Sequence, residues 1–215
     1  MTSVAAASGE KSTFRWLDAA RYAVAAAVTV LIMAVIVNAI KVVLRPDSLY
    51  LSVTGGSVFT KRFPPPPVEV LAFELRLPAQ NPSGRAVMYY VDINAYIFDS
   101  NTSSSASSDP GYDSIAYFKP KDIAVGQQEA VESSLHMKMT NRSMDANYFK
   151  LLYNGGRMSD VTLRLDGNLI TETFGINKTR QITYYCEQLL VGGDRDDEAL
   201  KNGPDVICRD DTKDL

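Results

Sequence analysis

The chain reads as an all-β domain tethered behind one transmembrane helix. Three observations carry this: residues 22–40 (YAVAAAVTVLIMAVIVNAI) hold no charged side chain, the sequence from residue 48 onward alternates apolar and polar residues, and only one short segment beyond residue 45 has a helical period. About seven strands separated by turn residues suit an antiparallel two-sheet β-sandwich, of the immunoglobulin or fibronectin kind, better than a βαβ fold, which needs repeated helices.

The 19 residues of the apolar run make a helix of about 28 Å, close to the roughly 30 Å hydrocarbon core of a bilayer. Arg21 and Lys41 flank it, with Trp16 and Tyr22 on the amino side, where aromatic rings settle at a headgroup boundary. An all-round apolar helix of this length in a water-soluble fold needs a large core around it. Val37 and Ala39 satisfy a small-residue cleavage site, yet the run exceeds the roughly 7–15 residues of a secretory core, which favours an uncleaved signal anchor. Cleaved or not, it exports the downstream domain. The expected organisation is a short cytosolic segment (1–21), the anchor (22–44), the sandwich (45–191) and an acidic tail (192–215).

Charge alone does not orient the anchor: Lys11, Arg15 and Arg21 precede it, and Lys41 and Arg45 come after it. Three Asn-x-Ser/Thr sequons, at Asn101, Asn141 and Asn177, lie downstream and none upstream, all beside expected turns or loops, which points to an exported carboxy-terminal domain. The only cysteines, Cys186 and Cys208, also lie beyond the span. One disulfide is expected, closing a loop of about 20 residues for on the order of 3 kcal/mol; two unrelated thiols are the alternative. Two cysteines and a single histidine make no recognisable metal site.

Of 22 basic and 25 acidic residues, five and two fall in the first 45, leaving 17 against 23 and a net charge of about −6 on the exported part. With no Lys/Arg cluster longer than a pair, nucleic acid is not an expected partner.

Along the domain, Leu49, Leu51 and Val53 alternate with Ser48 and Ser52; Leu71, Phe73, Leu75 and Leu77 alternate with Glu74 and Arg76. The longest strand sets Tyr89, Val91, Ile93, Ala95 and Ile97 on one face and Tyr90, Asp92, Asn94 and Tyr96 on the other. Ile115 and Tyr117 suggest a short strand. Val131, Leu135, Met137 and Met139 oppose Glu132, Ser134, His136 and Lys138; Val161, Leu163 and Leu165 lead towards Ile170 and Phe174; Ile182, Tyr184 and Cys186 close the series. The one soluble helix is expected over 144–154, capped by Ser143 or Asp145 and ended by Gly155 or Gly156, with Tyr148, Phe149, Leu151 and Leu152 buried. The prolines at 64–67 read as a stiff connector, 103–108 (SSSASS) as a flexible loop, and the tail as mobile. The tail's last four residues, 212–215, only faintly resemble a retrieval signal and are not read as one.

The order of these features, with LPAQNPSGRAVMYYVDINAYIFDS at 77–100, resembles the plant late-embryogenesis-abundant group 2 proteins of the harpin-induced and non-race-specific disease-resistance type. Asn81-Pro82 followed by Tyr89-Tyr90 carries the match, together with Val125-Gly126-Gln127 and the strand ending Tyr184-Tyr185-Cys186; it covers most of 49–191. The amino-terminal segment departs from it in lacking the cysteine-rich stretch of many relatives, and the Ser-rich loop looks like an insertion. The resemblance implies a β-sandwich displayed at the plant cell surface in defence and stress responses, and no known catalytic reaction.

The residues agree. His136 falls on the polar face of a strand, no carboxylate pair stands out, and no phosphate loop, zinc spacing or nucleophile elbow is present, so neither catalytic residues nor a cofactor is expected. Asn81, Pro82 and Gly84 read as a turn: proline presets φ, Gly84 permits a positive φ, and the Asn81 amide bonds nearby backbone. Of Tyr89, Tyr90, Tyr96 and Phe98, half are expected in the core and the rest at a contact surface. The expected function is a non-enzymatic single-pass plasma-membrane protein, bound to the bilayer through 22–44, whose extracellular domain contacts wall components or another membrane protein. The alternative is a lipid-binding or desiccation-protective sandwich; the 46% hydrophobic composition argues against a disordered protectant.

Overall fold

The structure, a computed structural model, describes residues 12–43, 48–65, 68–102, 109–193 and 202–211. The Ser-rich loop, Pro66, Pro67 and residues 212–215 lie outside the described residues. The chain divides into two compact units, Met1–Arg45 and Pro46–Leu215.

The described part of the first unit is a single helix, α1 (Ser12–Val43), which begins ten residues ahead of the uncharged run and includes residues 12–21 of the segment expected to be cytosolic. Within it Asp18–Ile40 is long and apolar enough to cross a membrane, and none of that window is buried by protein. Thr29 donates its hydroxyl to the Ala25 carbonyl at 2.8 Å, so its polar group is satisfied inside the helix. Arg21 is paired only loosely, 3.9 Å from Asp18.

The second unit is mostly β. Its strands are β1 (Tyr50–Val53), β2 (Ser57–Phe63), β3 (Val70–Gln80), β4 (Val87–Phe98), β5 (Ala116–Phe118), β6 (Ile123–Val125), β7 (Ala130–Met139), β8 (Met158–Thr173), β9 (Ile176–Val191), β10 (Val206–Ile207) and β11 (Arg209–Asp211). Two helices interrupt them, the four-residue α2 (Pro110–Asp113) and α3 (Ala146–Tyr153). The strands join in one path, β10-β1-β3-β2-β9-β8-β4-β5, with β7 on β3, β6 on β4 and β11 on β9. This corrects the expectation of about seven antiparallel strands and one helix: there are eleven described strands, and the sheet is mixed. Its one parallel step is made by β2, which pairs antiparallel with β3 through Phe59–Phe63 and parallel with β9 through Ser57 and Val58.

The alternation read from the sequence puts the expected side chains inside on β3 (Leu71, Phe73, Leu75, Leu77) and β8 (Val161, Leu163, Leu165), and both strands feed one apolar cluster. On β4 it fails. The register shifts between Val91 and Asn94, where Asp92 adopts φ 53°, and this bulge exchanges the faces, so Met88 and Tyr90 lie in the core ahead of it and Ile93, Ala95 and Ile97 after it. Tyr90, expected outside, is fully buried: its ring meets Tyr184 edge-on at 5.4 Å and its hydroxyl donates to the Leu165 carbonyl at 2.9 Å. Phe98 is buried too, while Tyr89 and Tyr96 are half-exposed, so half of the aromatic quartet is core.

The tail is also corrected. Cys186 and Cys208 form a disulfide, β10 pairs with β1, β11 pairs with β9, and the Cys208 amide donates to the Leu51 carbonyl at 2.9 Å. The described residues of the tail are therefore part of the sheet. Short polar strands such as RDD carry no apolar alternation, which is why the sequence pattern misses them. Helix α3 matches expectation in its capping: the Asp145 carboxylate accepts from the amides of Asn147 and Tyr148, and Gly155 takes φ 87° beyond the end. Phe149 and Leu152 are buried, whereas Leu151 is exposed.

Gly167 on β8 tests the core directly. A methyl group there falls 2.7 Å from Tyr90 Cε2 and 3.0 Å from the Val91 carbonyl, and Tyr90 is fixed by its hydrogen bond. Gly167→Ala is expected to lower stability by about 1–3 kcal/mol, since overpacking outweighs the roughly 0.4–1 kcal/mol gained from a stiffer unfolded chain; denaturant midpoints measure it.

Candidate functional site

Asn81 is wholly buried, and its side chain joins two loops. Nδ2 donates to the carbonyls of Ala86 (2.8 Å), Gly126 (2.9 Å) and Val125 (3.3 Å), while Oδ1 accepts from the Ser83 amide at 2.9 Å. Backbone bonds reinforce the junction, from Asn81 N to Glu129 O and from Gln128 N to Ser83 O. The NPSG segment is thus a structural turn, tying the β3–β4 connection to the β6–β7 connection. Gly84 does not play the part expected of it: its φ is not positive, and a Cβ there would lie 3.1 Å from the side-chain amide nitrogen of exposed Gln128.

The sequons are all exposed, but differently placed. Asn101 and Asn141 lie in turns, whereas Asn177 lies in β9, which corrects its placement outside strands. Beside Asn101, burial pushes the Asp99 carboxyl up, but hydrogen bonds from Thr102 and Tyr148 outweigh it and hold it below the usual carboxylate range. The same bond, with burial, raises the Tyr148 phenol to about 12 and pins α3 to the end of β4.

The most site-like surface is the outer face of β2, β3 and β7. Pairing aligns Lys61, Ala72 and Lys138 in one row across the three strands and Phe59, Glu74 and His136 in the next but one. Both lysine ammonium groups sit 5.7 Å from the centre of the Phe63 ring, one on β2 and one on β7. Ala72 is short, so a groove of about 540 Å3 opens between the lysines, with Phe59 and Phe63 on its wall. His136 is exposed, as expected, and stands 4.0 Å from Glu74; Arg76 and Glu132 pair at 3.5 Å farther along. The arrangement offers two cations and an apolar floor, with hydrogen-bonding groups alongside. The sequence pattern assigns no strand to β2 (SVFTKRF), whose apolar and polar residues do not alternate, and so misses this face.

Among the described residues no group of three or more His, Cys, Asp and Glu side chains is placed to hold a metal ion. No family model and no curated protein matches the chain. A solved structure, the crystal structure of a protein from Archaeoglobus fulgidus, aligns at 9% identity and a TM-score of 0.29, covering 61% of this chain and 94% of that one.

The Asn81 junction has a sharp test. Asn81→Asp keeps the shape but removes both amide protons and sets a carboxylate against three carbonyls. It is expected to cost at least about 2–3 kcal/mol, more than Ser83→Ala, because buried partners are left unsatisfied; thermal unfolding of both variants checks the order.

Proposed function

We propose that this is a non-enzymatic, single-pass surface protein of the plant late-embryogenesis-abundant group 2 kind, and that its exported β unit binds acidic wall polysaccharide along the outer face of β2, β3 and β7. The observation that carries the binding assignment is the Lys61–Ala72–Lys138 row with Phe63 between its cations. Uronate carboxylates match ammonium groups set two strands, or about 10 Å, apart. Phe63 and the Ala72 floor suit the C–H faces of a sugar ring, and Glu74 and His136 suit its hydroxyls. The groove has the size usual for ligand sites, roughly 300–1,000 Å3.

The membrane part of this reading is supported by the apolar window Asp18–Ile40, and export by the disulfide and the exposed sequons. The NPSG turn and the Tyr89-Tyr90 strand support the family. We read the single pairing path as a two-layer sandwich, β1–β3 and β7 facing β4–β6, β8 and β9, with β2 as the corner; side chains from both groups share one cluster. Plasma-membrane residence, an extracellular domain, and a role in defence or stress rest on the resemblance.

Charge reversal tests the groove. Lys61→Glu and Lys138→Glu are each expected to weaken binding of polygalacturonate to the full-length protein by about tenfold, equivalent to about 1.4 kcal/mol, with wild-type binding falling as salt rises. Equal binding of a neutral glucan, or no effect of either substitution, refutes the assignment.

A further inference from the structure

The turn between β8 and β9 is unlike any other among the described residues. Thr173 pairs with Ile176, leaving a two-residue loop, Phe174-Gly175, in which both residues have positive φ, 52° and 77°. This is the geometry that Asn-Gly or Gly-Gly fills without strain, and a bulky aromatic at its first position is a conformational outlier. Packing does not compensate for it. Phe174 is 94% exposed and Ile176 72%, and a Cβ placed on Gly175 would meet nothing within 4 Å beyond its chain neighbours. Both faces of β9 are exposed from Ile176 through Thr179, while β8 stays paired with β4 as far as Glu172, so the hairpin stands clear only at its tip. A strained, unpacked aromatic beside a second exposed aliphatic does nothing for the fold.

Its position names a partner. Val87, the first residue of β4, pairs with Glu172, so Phe174 projects about 7 Å past that strand's end. Gln80, at the matching end of β3, pairs with Tyr50, where the chain enters the β unit. Entry point and hairpin tip therefore share one end of the sheet. The apolar window ends at Ile40 and α1 at Val43, and only residues 44–47 come before Ser48, so the chain between the helix end and Ser48 spans at most about 18 Å. Lipid is accordingly the surface this end meets at high effective concentration. Charge is ordered to match: Lys178 comes after Ile176 on the same face of the strand, while Glu172 accepts a hydrogen bond from the Tyr89 hydroxyl at 3.3 Å.

We infer that the Phe174–Ile176 tip seats in the interfacial layer of the phospholipid bilayer that holds the anchor, giving the β unit a second membrane contact. It depends on α1 being inserted and not on the polysaccharide groove. Asn177 is the next residue after Ile176, so a seated tip leaves no room for a glycan there.

The test uses full-length protein in proteoliposomes of phosphatidylcholine and phosphatidylserine. Trp16 is the only tryptophan, so Phe174→Trp is made in a Trp16→Phe background, with Tyr112→Trp, 87% exposed on α2, as the control. Flotation with the vesicles first reports whether the anchor is inserted. In floating protein the expected result is blue-shifted emission from the Phe174→Trp variant, quenched by lipids brominated near the headgroup, with the Tyr112→Trp control unquenched. Emission from the Phe174→Trp variant at the value for water, or equal quenching in both variants, overturns the inference. Phe174→Asn is expected to leave the thermal midpoint unchanged or raise it, because asparagine tolerates the turn; a lowered midpoint shows that Phe174 serves the fold and overturns it, as does full glycan occupancy at Asn177.

Discussion

One buried side-chain amide decides how the two halves of the β unit meet. Asn81 ends β3 and begins the six-residue passage to β4, and its hydrogen bonds fix that passage against the connector leading into β7. In a buried loop each carbonyl without a partner is costly, and here one side chain supplies three of them with donors. The register of β7 on β3, unbroken from Leu71–Met139 to Gln80–Ala130, starts at this junction. The lysine row therefore depends on it at a distance, because a one-residue slip of β7 would turn Lys138 inward.

Where burial has a simple period, the sequence pattern already contains the structure. Leu71, Phe73, Leu75 and Leu77 behave as read, as do the Asp145 cap and the pairing of Cys186 with Cys208. The failures have local causes. Asp92 adds a residue to β4 and reverses the faces before it, and a bulge leaves no mark in a pattern of period two. The tail strands are held by backbone pairing and a disulfide, not by an apolar face, so their composition reads as solvent-exposed tail. The groove is a product of register: nothing in the sequence places Lys61 beside Lys138 until β3 sets Ala72 between them. The hairpin tip is legible as a strand end, but not as a strained one.

Under the proposed reading, the work of the protein is divided between the two ends of the sheet. The end with Tyr50, the Asn81 junction and Phe174 is where the chain arrives from the anchor. Lys61, Phe63 and Lys138 lie towards the other, where Val70 pairs with Phe63. A binding face away from the tether remains accessible to an extended polymer, and a local pair of cations can select an anion even on a unit whose net charge is negative, because screening confines each interaction to about 10 Å.

In the proposed topology the β unit works outside the cell while α1 holds it to the membrane. Treating membrane-extracted full-length protein with an endoglycosidase, and comparing it with Asn101→Gln, Asn141→Gln and the double variant, tests this most directly. A mobility shift in the wild type that is lost in steps across the variants is the expected result. Absence of glycan at both sites, with the β unit open to protease only once the cytosolic face is exposed, would place it inside the cell and contradict the account.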